Sequence, residues 1–114
     1  MSDTAGKFEQ GIAALSRDQR TRDVMKSFRG LHEAALADGG LARSVKELMA
    51  LAVSITSQCD GCIAWHVQGA LKAGATGEQV METIGLAILM GGGPATYYGS
   101  KAQEELKAAT EEQS

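Results

Sequence analysis

Cys59 and Cys62 are the only cysteines in the chain, they are spaced C-x-x-C, and His66 follows the second by four positions. On a helix, positions 59, 62 and 66 fall at about 0°, 300° and 340°, so both sulfurs and the imidazole share one face. If Cys59 opens such a helix, unsatisfied backbone N–H groups and the positive end of the helix dipole favour thiolate over thiol, lowering a cysteine from its ordinary value of about 8.5. His66 is one turn from Cys62 and two from Cys59, so the Cys62 proton is the one it manages most directly. It can accept that proton or donate to a leaving oxygen, the pairing of nucleophile and base that covalent catalysis requires.

Other chemistries compete for the same residues. Two cysteines this close, with no other cysteine in the chain and a histidine one turn on, are poorly explained as packing alone. Zinc is a stronger rival, since Cys59, Cys62, His66 and a carboxylate make four ligands; structural zinc usually recruits a second distant pair, however, and only His32 is left over. Haem attachment needs a histidine directly after the second cysteine, where Ile63 stands. A permanent structural disulfide is not expected, because so short a loop constrains the unfolded chain little. Ser44-Val45-Lys46-Glu47 has the form of a capping box, which gives Glu47 a purely structural job on the residues alone. His32, beside Glu33 and remote in sequence from both cysteines, is assigned no role. Trp65, Tyr97 and Tyr98 read as core or interface aromatics. Asp60 would oppose a thiolate if it pointed inward, so it is expected to face solvent.

The elements that must position these groups are helices. Residues 4–15 are weakly amphipathic. Residues 18–37 carry Val24, Met25, Phe28, Leu31, Ala35 and Leu36 at spacings of three and four, and Gly39-Gly40 supplies the stop. A third helix is expected from Ser44 to about Gln58, and a fourth over 59–73, closed by Gly74. Thr76-Gly77-Glu78-Gln79 is a further capping box opening 80–90. Residues 85–90 are apolar on every face, so that helix is expected to be buried all round, partly by another subunit. Gly91-Gly92-Gly93 ends it, Pro94 opens a last helix to about Ala108, and the Glu-rich tail is expected to fray.

Composition supports an all-α fold. The 18 Ala and 14 Gly make up 32 of 114 residues, against only five aromatics, so the core must form from closely packed helix backbones. The length fits a single domain over residues 1–114. Small side chains bury little area each, which predicts an oligomer. The net charge of −3, the pI of about 5.3 and the lack of any basic cluster argue against a nucleic-acid partner. The strongest apolar runs, 48–53 and 85–90, fall far short of the roughly 18 to 20 residues of a membrane span. Without a basic leader or apolar segment at the start, the expected location is cytoplasmic.

The four residues Glu47, Cys59, Cys62 and His66 form the pattern E-x11-C-x2-C-x3-H. With Lys46 to Ala52, Cys62 to His66, Ala73 to Thr76 and Met90 to Pro94, the chain resembles the alkylhydroperoxidase AhpD-like group of the carboxymuconolactone decarboxylase superfamily over roughly residues 20 to 107. That resemblance implies an AhpD-like helical domain of about six helices, assembled as a homotrimer or homohexamer, in which a dithiol reduces peroxides without a bound cofactor or metal. By the same resemblance Cys62 is the peroxidatic cysteine, Cys59 the partner that closes the disulfide, and Glu47 with His66 a proton relay. A dithiol reductant, thioredoxin-like or lipoyl-bearing, is the implied partner. Decarboxylating relatives lack the cysteine pair, so a lyase is the weaker alternative. A zinc-binding or redox-sensing module is another. The chain departs from the longer two-repeat peroxidases of the group, which carry a histidine directly before the second cysteine, where Gly61 stands here.

Overall fold

In the computed structural model, which describes residues 1–113, the described residues form six helices and no strand. They are α1 Asp3–Arg17, α2 Arg22–Leu36, α3 Arg43–Thr56, α4 Asp60–Lys72, α5 Gly77–Gly91 and α6 Gly93–Gln113. The all-α class expected from the Ala-rich composition is therefore the class observed. Among the described residues no helix is long and apolar enough to cross a membrane.

Helices α3 to α6 pack around Leu51, Ile55, Ile63, Val67 and Val80, all fully buried. Helices α1 and α2 form a hairpin, α1 resting on α4 and α2 on α3. Ser2 ties the start of the chain to α6: its hydroxyl donates to the buried Glu105 carboxylate at 2.6 to 2.7 Å and accepts from the Ala5 N–H, capping α1.

Several boundaries differ from those expected. Residues 18–21 stay outside α2 because the Asp18 carboxylate accepts the Arg20 backbone N–H at 2.8 Å, a local turn that competes with helix. Helix α3 begins at Arg43 with Ala42 as its N-cap, a residue whose side chain makes no cap hydrogen bond. Its first N–H donates instead to Asp38 Oδ1 at 2.7 Å, so the expected Ser44/Glu47 box does not form. The Thr76/Gln79 box does form, at 3.1 and 2.9 Å. Gly74 takes the left-handed conformation (φ +104°) that a helix C-terminus favours in glycine. Helix α6 runs on to Gln113 where fraying was expected, through residues that favour helix strongly. Helix α5 is not buried all round within one chain: Val80, Ile84 and Ala87 point inward, while Leu86, Leu89 and Met90 are exposed.

Candidate active site

The site is built at the junction of α3 and α4. Gln58 there adopts a left-handed conformation (φ 59°), reversing the chain, and the Cys59 N–H bonds the Ser54 carbonyl at 3.1 Å. Cys59 thereby becomes the N-cap of α4, its Sγ accepting the Cys62 N–H at 3.3 Å. The two sulfurs are joined in a disulfide of 2.07 Å with the Cα atoms 5.3 Å apart. Both sulfurs thus lie at the N-terminal end of α4, Cys59 as its N-cap and Cys62 in its first turn.

One turn beyond Cys62, His66 Nδ1 lies 2.8 Å from Glu47 Oε1. The Glu47 side chain, on α3, is only 3% exposed, and that of His66 16%. A carboxylate so deeply buried requires a partner, and the imidazole is the one it has. With Nδ1 engaged, Nε2 is the ring nitrogen left to serve Cys62 or a substrate. The pair therefore brings Glu47 into the site and removes it from the capping role. Gly69 makes the arrangement possible: a Cβ at that position would overlap Glu47 Oε2.

Two cavities meet at this pair. One, of about 260 Å³, has Cys62 and His66 on one side and Ile12, Met25 and Phe28 as its apolar wall. The other, of about 360 Å³, runs along Glu47 and Gly69 and is bordered by Glu9, Arg43, Gln68 and Lys72. Phe8, His32, Glu33 and Trp65 line both, while Cys59 lines neither. Glu33 is paired with Arg43 at 3.0 Å, and that guanidinium holds its carboxyl below the usual carboxylate range. Trp65 meets Phe8 edge to face at 5.1 Å and His32 at 5.9 Å, so it belongs to the wall of the site as well as to its packing.

His32 is the residue that sequence reasoning missed. Its ring stacks on that of His66, centroids 5.7 Å apart and planes 18° from parallel. The available signal was register: Met25 and Leu36 are the buried residues of α2, and His32 lies at helical spacing between them. Val24 and Leu31, read as core, are instead about two-thirds exposed. Asp60 faces solvent as expected, 3.4 Å from Lys101. Gly61 lies under α1, and a Cβ there would come within 2.5 Å of the Phe8 ring. Among the described residues no three His, Cys, Asp or Glu side chains are grouped to hold a metal ion.

A redox-capable C-x-x-C pair at a helix start, backed by a buried carboxylate and imidazole within an all-helical domain, defines a narrow class of protein. The carboxymuconolactone decarboxylase family model matches residues 22–105, and the chain belongs to that family. It is 45% identical over 79 residues to an uncharacterised protein of Cupriavidus necator, covering 69% of this chain and 70% of that one. An uncharacterised protein from the cox locus of Paracoccus denitrificans is 41% identical over 91 residues, 79% of this chain and 82% of its own length. Among solved structures, a carboxymuconolactone decarboxylase family protein from Legionella pneumophila superposes with a TM-score of 0.84 at 35% identity, covering 92% of each chain. A Thermotoga maritima member of the family, for which a role in the antioxidative response has been suggested, gives 0.80 at 26% identity, covering 98% of this chain and 93% of its own.

Proposed function

We propose that this protein is a thiol-dependent peroxidase, or disulfide oxidoreductase, that works without a bound cofactor. The observation that carries the reading is the convergence of Cys62 and His66 on one largely apolar cavity, with Glu47 buried behind the imidazole. In the reduced protein His66, oriented by Glu47, takes the Cys62 proton and can return it to the leaving oxygen. The thiolate attacks the peroxide, forming a sulfenic acid and releasing an alcohol or water. Cys59 then condenses with the sulfenate, water leaves, and the disulfide bond is formed. An external dithiol, thioredoxin-like or lipoyl-bearing, restores both thiols by exchange. The suggested antioxidative role of the Thermotoga relative is consistent with this cycle. We place the protein in the cytoplasm as a homotrimer or homohexamer.

The test is a single turnover. Reduced, metal-free protein is mixed with one equivalent of an organic hydroperoxide while intact mass, free thiols and Trp65 fluorescence are followed. Rapid loss of two hydrogens and both thiols, abolished in Cys62→Ser, is the expected result. Cys59→Ser should undergo one oxidation event and then stop. Thiols that disappear no faster than those of free cysteine would overturn the reading.

A further inference from the structure

His32 takes no part in the relay described above, yet it borders the cavity in which the leaving oxygen would have to be protonated. Among the described residues neither of its ring nitrogens has a hydrogen-bond partner. Its ring borders the apolar cavity together with Cys62 and the polar cavity together with Glu47. His66 and Cys62 belong to the same helix, one turn apart, whereas His32 is brought to the apolar cavity by a different helix, α2, and its ring reaches that of His66.

Attack on a peroxide is an in-line displacement. Sulfur approaches the terminal oxygen opposite the O–O bond, so the departing oxygen emerges on the side of the cavity away from the sulfur. A group one turn from Cys62 is well placed to take its proton, and a second imidazole, carried to the same cavity by another helix and without a hydrogen-bond partner among the described residues, is free to meet the departing oxygen. We infer that His32, in place of His66, is the catalytic acid of the oxidation step, protonating the leaving alkoxide, while His66 and Glu47 take the proton of the Cys62 thiol. This deepens the peroxidase reading and rests on it.

The step balances. The Cys62 sulfur forms a bond to the terminal oxygen and loses two electrons. The O–O bond breaks and its electron pair leaves on the alkoxide oxygen. The His32 imidazolium gives that oxygen a proton, yielding an alcohol and neutral imidazole; His66 then releases the proton it took from Cys62 to solvent and His32 regains one from solvent, so one proton is moved in all. The charged or titratable groups that line the two cavities with His32 are Arg29 and Glu33 on α2, Arg43 and Glu47 on α3, Cys62 (once reduced), His66 and Lys72 on α4, and Glu9 on α1. Glu33 is held by Arg43 and Glu47 by His66.

The experiment compares oxidants whose leaving groups differ. Wild type and His32→Phe, which keeps a ring in the stack and removes the proton, are reduced and oxidised in single turnover by cumene hydroperoxide and by peracetic acid. The first expels an alkoxide that needs a proton; the second expels acetate, which does not. His32→Phe should slow the cumene hydroperoxide reaction about 10²-fold, the ordinary contribution of a positioned acid, and leave the peracid reaction little changed. The peracid arm also shows that the variant is folded and its Cys62 competent. Equal slowing with both oxidants, or none with either, would overturn the assignment while leaving the peroxidase reading in place. A wild-type protein unreactive toward both would bring down the two together.

Discussion

Gly69 and Glu47 share a space that only one of them can fill. Because a methyl group at 69 would overlap Glu47 Oε2, Gly69→Ala should push the carboxylate off His66. We expect it to cost about 1 to 3 kcal/mol of stability, as overpacking of a tight site does, measured by urea denaturation. Glu47→Gln keeps the size and loses the charge, and should slow Cys62 oxidation roughly 10²-fold in single turnover. Combining the two should slow it little further, since both act through His66. Fully additive rate losses would show that Gly69 acts elsewhere. Three of the site residues were legible as a cluster, because Cys59, Cys62 and His66 share one segment and one helical face. Glu47 was legible through the family pattern, but its own neighbourhood suggested a cap. His32 was not found from its neighbours in sequence, since the two site rings it meets, those of Trp65 and His66, belong to α4, more than thirty residues away.

Ser44 and Thr76 begin the same sequence signature and meet different fates. Thr76 and Gln79 close a reciprocal box at the start of α5, whereas Asp38, reaching across the loop, occupies the first N–H of α3 and makes Ser44 redundant. Thr76→Ala should therefore cost about 1 kcal/mol and Ser44→Ala almost nothing, a contrast that paired urea titrations would resolve. Comparable losses for both would mean that α3 is capped by Ser44 after all. The contrast also marks how far the elements were readable. Periodicity and punctuation located all six helices, because glycines, Pro94 and local polar residues act over a few positions. Which side chain satisfies a helix end depends on the path of the loop, and the start of α3 was misplaced for that reason. The inward face of α2 was misjudged because Val24, Phe28 and Leu31 form as regular an apolar pattern as Met25 and Leu36 do.

The accessible surface of the single chain is 7067 Å², against about 6,000 Å² for an ordinary monomer of 11.9 kDa. Some of this excess is apolar. Val45, Met49 and Val53 form an exposed stripe along α3, and Leu86, Leu89 and Met90 are 57%, 75% and 75% exposed on α5. Two helices that also pack on one another thus present apolar side chains outward, which supports assembly with further copies of the chain. Leu89→Lys should shift the protein toward monomer in sedimentation equilibrium and lower its thermal stability, because a charge would be buried at the contact. A wild-type protein already monomeric at micromolar concentration would sink the homotrimer or homohexamer proposal.

The partition formed by Phe8, His32, Glu33 and Trp65 gives the site two doors. An alkyl group filling one of them leaves the other open to water, so a bulky substrate need not starve the relay of protons. The same division bears on inhibition. A small polar molecule lodged beside Glu47 and Gly69 would never compete with peroxide for Cys62, and its effect would fall on kcat with KM unchanged. A hydrophobic molecule in the other cavity would raise KM alone.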